Sequence, residues 1–229
     1  MKTTAIIVAA GRGSRMQSDI PKQFLTLGNQ TVLYHTIRKF LKARQVCEII
    51  VVVAPDYLGS QYLKESLPDN AGKPIIVVAG GKTRQESVEN GLKATSSDSE
   101  YVLTHDGVRP LISVDIIESA IDKCAHHDGV IVGLPAVDTL TRVQNLEIKE
   151  YIDRGEVWQL QTPQIFPKKV LEYSFKTAHL ESMVYTDESS LVKPIFRDVV
   201  VFKGQKTNIK ITVRDDLMIA KAIMDQYDC

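Results

Sequence analysis

Short apolar runs alternate with helical patterns from residue 4 to residue 135. The apolar runs are continuous and rich in Ile, Val and Ala, which is typical of strands buried on both faces of a sheet; they span residues 4–10, 48–54, 75–79, 101–104 and 130–134. Apolar residues recur at helical spacing between them, over residues 31–41, 83–94 and 114–125. This alternation predicts an α/β fold, with a Rossmann-like, mostly parallel sheet and helices on both faces.

The pattern changes after Pro135. Residues 139–144 and 148–153 alternate polar residues with apolar or β-branched ones, and Asn145 stands between them. Such a pair of segments predicts a β-hairpin that protrudes from the main sheet. We therefore expect a single nucleotidyltransferase domain over residues 1–229, with a dimerisation and substrate arm at about residues 136–158.

The last third of the chain predicts a return to the core and a closing helix. Residues 160–166 return to the sheet, and Pro167 is expected to open the next helix at its first position. Further expected elements are a short helix over residues 187–192, short strands over 199–202 and 209–212, and a helix over 213–227. The inward face of that final helix is expected to carry Leu217, Ile219, Ala220, Ile223 and Met224.

The charge balance and composition of the chain argue against a nucleic-acid-binding protein. Hydrophobic residues make up 44% and charged residues 24%, as in an ordinary globular protein, and 28 Lys and Arg balance 28 Asp and Glu. A duplex nucleic-acid binder usually has a basic surplus, so we expect no nucleic-acid partner. A local cluster of Lys and Arg still suffices for a small polyanion.

Cysteine usage and hydropathy predict a cytoplasmic protein with no membrane partner. The cysteines are Cys47, Cys124 and Cys229, and no CxxC spacing occurs, which favours reduced thiols over disulfides or a zinc site. The apolar run at the N-terminus is shorter than that of a signal peptide, and no run approaches the ~20 residues of a membrane span.

A glycine-rich loop after the first predicted strand is the clearest candidate for phosphate binding. It comprises Ala9-Ala10-Gly11-Arg12-Gly13-Ser14-Arg15-Met16 and is followed by Pro21-Lys22-Gln23. Glycines let backbone N–H groups approach phosphate oxygens, and Arg and Lys supply positive charge. The loop matches neither the P-loop nor the dinucleotide-binding pattern. An ordinary strand-to-helix turn with solvated charges is the alternative.

Two further loops follow predicted strands. Because ligands of parallel sheets bind at the carboxyl ends of the strands, residues 10–22, 80–87 and 106–110 are expected to line one cleft. Asp106 is a candidate magnesium ligand, although a loop or helix cap is equally compatible with its position. On sequence alone, Lys210 is expected to face solvent, and His105 is expected to be structural.

Nine short segments in one order resemble those of the sugar-phosphate cytidylyltransferases. They are Ala-Ala-Gly-x-Gly-x-Arg-Met at 9–16, Pro-Lys-Gln at 21–23, Gly-Gly at 80–81, His-Asp and Arg-Pro within 105–110, Asp-Thr at 138–139, Asp-Arg at 153–154, Gln-Thr-Pro-Gln at 161–164, Thr-Asp-Glu at 186–188 and Asn-Ile-Lys at 208–210. Within that family, the segments at 153–158 and 186–190 resemble the enzymes that act on 2-C-methyl-D-erythritol 4-phosphate in non-mevalonate isoprenoid synthesis.

The resemblance implies a reaction in which CMP passes from CTP, the co-substrate, to a small sugar-alcohol phosphate, with Mg²⁺ as cofactor and pyrophosphate released. The catalytic residues implied are Arg15, Lys22 and Lys210. The implied CTP-binding residues are Ala9, Ala10, Gly11, Gly13, Gly81, Ser87, Asp106 and Gly107, with Asp106 also the metal ligand.

For the second substrate the resemblance implies Thr139, Arg154, Thr162, Thr186 and Asp187. Thr139 and Arg154 would reach the partner subunit's site from the hairpin arm, which implies a homodimer. Two alternatives remain open at this point: an enzyme acting on ribitol 5-phosphate in teichoic-acid synthesis, and a nucleotide-binding module without catalysis.

Overall fold

The computed structural model describes residues 1–11, 20–69, 72–181 and 185–227. Along these residues the strands are β1 Thr3–Ala9, β2 Thr26–Leu27, β3 Gln30–Thr31, β4 Val46–Val53, β5 Ile75–Ala79, β6 Tyr101–Asp106, β7 Gly129–Pro135, β8 Leu140–Gln144, β9 Glu147–Ile152, β10 Trp158–Pro167 and β11 Val199–Lys203. The α-helices are α1 Val32–Lys42, α2 Gln61–Ser66, α3 Arg84–Lys93, α4 Val114–Cys124, α5 Lys168–Glu181, α6 Glu188–Val192 and α7 Arg214–Tyr227. Among the residues described, no helix is long and apolar enough to cross a membrane.

Seven of the described strands form the central sheet, in the order β11-β7-β10-β6-β1-β4-β5, and β2-β3 and β8-β9 form two small separate sheets. β1 pairs in parallel with β4 and β6, β4 with β5, and β7 with β11. β10 runs antiparallel between β6 and β7. The predicted mostly parallel sheet is thus confirmed, and the carboxyl ends of β1, β4, β5 and β6 lie at one edge.

Both faces of the sheet are buried under helices, which explains the continuous apolar strands. On one face, Ile7 and Val51 pack in a cluster with α1 and α4 residues such as Phe40. On the other face, Ile6 and Ile50 pack in a cluster with residues of α3, α5 and α6. These buried strands give the site a rigid base.

The predicted hairpin is confirmed as β8 and β9. Its turn residues Asn145 and Leu146 have φ values of 52° and 65°, the left-handed conformation that matches a two-residue turn to the twist of the strands. Every residue of β9 is exposed, so the hairpin does not contribute to either sheet-covering cluster.

Three predictions about local structure were wrong: two concern the bounds of elements, and the third concerns one residue of α7. Residues 209–212 form no strand: the N–H of Ile209 donates to Thr207 in a tight turn (2.7 Å), and a single bond joins Ile211 to Val108. Pro167 ends β10, because it still pairs with β6, and α5 begins one residue later.

Ile219 faces outward, 51% exposed, because only a narrow stripe of α7 around Ala220 reaches the core. Adjacent helix positions point about 100° apart, so a neighbour of the central buried residue can lie outside the stripe.

Candidate active site

The carboxyl ends of the parallel strands open into a cleft of about 850 Å³, a size that suits a nucleotide-sized ligand. The predicted loops meet here, which confirms the expected cleft for their described parts. The candidate residues brought together are Ala9, Ala10, Gly11, Lys22, Gly81, Ser87, Asp106 and Lys210. Arg15 and Gly13 lie outside the described residues.

Close backbone approach shapes one wall of the cleft. A Cβ added at Gly80 would lie 2.5 Å from the Cβ of Ala10 and 2.9 Å from the Oγ of Ser87, so a glycine is required there. The Ser87 hydroxyl accepts a hydrogen bond from the N–H of Gly81 (3.1 Å) and donates one to the carbonyl of Thr83 (2.8 Å). The loop after β5 is therefore fixed against the end of β1.

Gln23 fixes the other side of the entrance. Its Nε2 donates to the carbonyl oxygens of Ala9 (2.7 Å) and Gly11 (3.1 Å), at the end of β1. The side chain is almost completely buried, as is that of its neighbour Lys22, which lines the cleft. The Pro-Lys-Gln segment thus holds the end of β1 and places Lys22 in the lining of the cleft.

Asp106 ends β6 on the floor of the cleft and is surrounded by cations. Its Oδ2 lies 3.0 Å from the Nζ of Lys210 and accepts a hydrogen bond from the Nε of Arg109 at 3.2 Å; its Oδ1 lies 3.6 Å from Arg84. Burial alone would raise the pKa of this carboxyl, but Lys210, Arg84 and Arg109 outweigh burial and hold the pKa well below its usual range. Asp106 therefore stays ionised at any working pH.

Lys210 faces the cleft, so its expected solvent-facing position was wrong. Because residues 209–212 form no strand, alternation does not govern the direction of this side chain. The bond from Ile211 to Val108 instead places Lys210 next to the end of β6. Its side chain is 41% exposed and retains freedom to move between Asp106 and a ligand.

His105 and Thr162 support this floor from below and confirm the structural interpretation of His105. The Thr162 hydroxyl oxygen accepts from the N–H of Asp106 (3.1 Å) and lies 3.0 Å from Nδ1 of His105. Nε2 of His105 lies 3.1 Å from the carbonyl of Arg109, which can only accept, so Nε2 carries the proton. Burial lowers the pKa of His105 to about 4, which favours this neutral tautomer.

The chain matches the family profile described as "IspD: 2-C-methyl-D-erythritol 4-phosphate cytidylyltransferase" over residues 3–226. Enzymes of that name from Alkaliphilus metalliredigens and Dictyoglomus thermophilum are 39% and 37% identical to it, over 98% and 99% of this chain and 94% and 98% of theirs. The crystal structure of 4-diphosphocytidyl-2C-methyl-D-erythritol synthase from Anaerococcus prevotii superposes with a TM-score of 0.86 at 30% identity and covers 98% of both chains.

The chain belongs to the 2-C-methyl-D-erythritol 4-phosphate cytidylyltransferase family. The resemblance to this group of sugar-phosphate cytidylyltransferases is thereby confirmed, and so is the Rossmann-like fold. The match extends over nearly the whole chain, including the hairpin arm.

Several predicted site residues lie away from the cleft lining. Gly107 and Thr162 are buried beneath the floor, whereas Thr139, Arg154 and Thr186 are exposed. The carboxylate of Asp187 caps α6, where it accepts hydrogen bonds from Ser190 and Gln164. Arg154 donates a hydrogen bond to the carbonyl of Val137 within its own arm.

Other lining residues were missed by sequence reasoning. Pro55 and Asp56 follow the end of β4, so the same strand-end rule that found the other loops would have found them. Arg84 lies within the predicted segment 80–87 and does line the cleft, but its ion pair with Glu188 was not predicted. No local pattern links these two residues, because 104 positions separate them along the chain.

The donor set fits a metal ion carried by a nucleotide better than a protein-held metal centre. Among the residues described, no cluster of three or more His, Cys, Asp or Glu side chains could hold a metal. Mg²⁺ commonly takes one or two carboxylates and completes its shell with water and substrate phosphates. Asp106, a single ionised carboxylate on the floor of the cleft, suits that role.

Proposed function

We propose that this chain transfers CMP from CTP to 2-C-methyl-D-erythritol 4-phosphate, giving 4-diphosphocytidyl-2-C-methyl-D-erythritol and pyrophosphate. Family membership over residues 3–226 supports the substrates. The observation that carries the chemistry is the set of Lys22, Asp106 and Lys210 in one cleft at the ends of the parallel strands.

CTP is proposed to occupy the wall formed by the loops after β1 and β5. The N–H groups and small side chains of Ala9, Ala10, Gly11 and Gly13 would surround the nucleotide from one side. Gly81 and Ser87 would do so from the other, where the N-terminus of α3 favours negative charge and polar base edges. This placement is supported by the residues of both loops that line the cleft. It is also supported by Gly80, whose lack of a side chain lets the two loops approach each other closely.

The transfer is a displacement at phosphorus. An oxygen of the substrate phosphate attacks the α-phosphorus of CTP, a new P–O bond forms, and the bond to pyrophosphate breaks. Such a reaction depends on positioning and on neutralising charge. We assign Lys22 and Arg15 to the triphosphate and its developing charge, and Lys210 to the α-phosphate.

Magnesium is proposed to bind Asp106 together with phosphate oxygens and water. Bound there, the ion would neutralise phosphate charge and act as a Lewis acid. Nζ of Lys210 lies 3.0 Å from Oδ2 of this carboxylate and would move toward the α-phosphate as the nucleotide binds. The exposure of the Lys210 side chain supports that movement, and Arg109 continues to hold Asp106 in place.

A homodimer is proposed to complete the second substrate's site, with Thr139 and Arg154 supplied by the partner's arm. The arm is solvent-exposed and carries large apolar side chains, among them Leu146 (97% exposed) and Tyr151 (70% exposed), which favours burial against another chain. Thr162, Thr186 and Asp187 are proposed to shape the same end of the cleft. The single-domain organisation and the cytoplasmic location stay predictions.

The proposed function is tested by measuring pyrophosphate release from CTP in the presence of Mg²⁺. 2-C-methyl-D-erythritol 4-phosphate and ribitol 5-phosphate are compared as acceptors at equal concentration. We expect strong preference for the first. Preference for ribitol 5-phosphate would move the enzyme to cell-wall polymer synthesis. Binding of CTP without turnover of either compound would support the non-catalytic alternative.

A further inference from the structure

Glu188 is a buried carboxylate that lies beside the nucleotide cleft without lining it. Its side chain is 2% exposed, its Oε1 is paired with Nη1 of Arg84, and its Oε2 accepts a hydrogen bond from the Thr104 hydroxyl at 2.7 Å. A buried carboxylate is expensive to desolvate unless it is paired and hydrogen-bonded, and here both conditions are met.

The backbone around Glu188 is anchored on both sides. The Gln164 side chain donates to the carboxylate of Asp187 (2.9 Å) and accepts from the N–H of Ser189 (2.9 Å). Asp187 and Ser190 also form a reciprocal capping box at the start of α6. Glu188 is therefore held in a fixed position and can in turn fix a partner.

Arg84, the ion-pair partner of Glu188, lies close to a second carboxylate, that of Asp106. While Nη1 of Arg84 is paired with Glu188, Nη2 lies 3.6 Å from Oδ1 of Asp106, beyond ordinary hydrogen-bond distance. Thr104 and Asp106 are two residues apart on β6 and so share one face of the sheet. The carboxylate bound to Thr104 and that of Asp106 therefore lie next to the same guanidinium group, one at each terminal nitrogen.

We propose that Glu188 is a positioning residue that holds Arg84 back from Asp106 and so keeps Oδ1 of Asp106 accessible to a metal-bound triphosphate. The inference rests on the proposed role of Asp106. Without the charge of Glu188, Asp106 is the carboxylate left in contact with Arg84, while Asp187 attracts the guanidinium more weakly. A shift of less than an ångström would bring Nη2 of Arg84 within hydrogen-bond distance of Oδ1, where it would form a charge-assisted bond.

The test measures Mn²⁺ binding by electron paramagnetic resonance in the presence of a non-hydrolysable CTP analogue, so it does not depend on turnover. Glu188→Gln keeps the shape and removes the charge, and we expect affinity for Mn²⁺ to fall about tenfold. Adding Arg84→Met removes the competing cation, and we expect the double variant to return to within about threefold of the wild type.

Glu118→Gln is the matched control, because Glu118 pairs with Arg44 at the surface (3.1 Å), away from the cleft. Thermal unfolding of each variant separates loss of metal affinity from loss of fold. If Glu188→Gln does not fold, Thr104→Val removes the hydroxyl that anchors Oε2 and keeps both charges, and we expect a fall of roughly threefold.

Unchanged Mn²⁺ affinity in Glu188→Gln or, where that variant does not fold, in Thr104→Val overturns the inference. So does a double variant as weak as the single one, because a merely structural effect would not be relieved by Arg84→Met. If the wild-type protein binds the CTP analogue but adds nothing to the Mn²⁺ affinity of the free analogue, the proposed metal role of Asp106 is instead overturned, and this inference with it.

Discussion

Nζ of Lys210 lies 3.0 Å from Oδ2 of Asp106, so the proposed cation for the α-phosphate is paired with the proposed metal ligand. The Lys210 side chain is 41% exposed, whereas Asp106 is nearly buried and has two arginines beside it. The pair can therefore separate without leaving Asp106 unpaired, and binding of a triphosphate with its metal is expected to separate it.

Replacing Asp106 by Asn should reveal this arrangement. We expect turnover to fall by about 10²–10³, the loss typical of a removed electrostatic contact to the transition state. Binding of CTP in the absence of metal should persist or strengthen, because the substitution frees Lys210 from its ion pair with residue 106 and removes a negative charge that repels the triphosphate. Calorimetry of CTP binding with and without Mg²⁺, beside steady-state kinetics, checks both expectations. Turnover close to that of the wild type would contradict the role given to Asp106.

Lys22→Ala should separate binding from catalysis. We expect the variant to retain most of its affinity for CTP and to lose turnover by a factor of at least about 10², since Lys22 is assigned to charge that develops during transfer. Lys64→Ala, at an exposed position of α2, is the matched control. Equal losses in CTP affinity and in turnover would refute the transition-state assignment.

Mixed dimers test the proposed supply of Arg154 by the partner. Arg154→Ala and Lys22→Ala are each expected to be inactive alone, but random mixing places one intact site in each hybrid dimer. We expect recovery of about a quarter of wild-type activity, because half of the dimers are hybrids with one of two sites intact. A mixture of Lys22→Ala with Lys210→Ala should stay inactive. Absence of recovery in the first mixture would argue against a shared site.

The pH dependence of stability should report the buried neutral His105. Burial lowers its pKa to about 4 in the folded protein, against about 6.5 when unfolded. Between these values the unfolded chain binds more protons, so stability rises with pH across this window. The rise attributable to His105 is up to roughly 3 kcal/mol.

His105→Gln should remove that part of the slope, whatever its effect on stability at neutral pH. Denaturant unfolding at pH values from 4 to 7 measures the difference, and His126→Gln at an exposed helix end is the control. A variant whose stability keeps the wild-type slope would show that His105 does not titrate in this way.

The close approach at Gly80 should tolerate no side chain. In Gly80→Ala the new methyl group would overlap the Cβ of Ala10 and the Oγ of Ser87, and we expect a loss of about 1–3 kcal/mol in unfolding free energy with weaker CTP binding. Gly11→Ala is the control for stability, because nothing lies within 4 Å of its added Cβ. Equal melting temperatures for the two variants would contradict the packing argument.

The strands and the cleft were predictable because both follow from short-range rules. Apolar runs such as residues 48–54 had to be buried on both faces, and parallel strands bring loops such as 80–87 to one edge. Lys210 was not predictable from alternation, since its segment forms no strand. Glu188 was missed because a long-range ion pair fixes its role, and no periodicity in sequence encodes such a pair.

The position of attack on CTP distinguishes cytidylyl transfer from other phosphoryl transfers most directly. CTP labelled with ³²P at the α-phosphate, and separately at the γ-phosphate, should be incubated with the enzyme, Mg²⁺ and 2-C-methyl-D-erythritol 4-phosphate. We predict that the α-label enters the sugar product and that the γ-label leaves in pyrophosphate. Transfer of the γ-label to the sugar, or release of both labels without a cytidylylated product, would contradict cytidylyl transfer at this site.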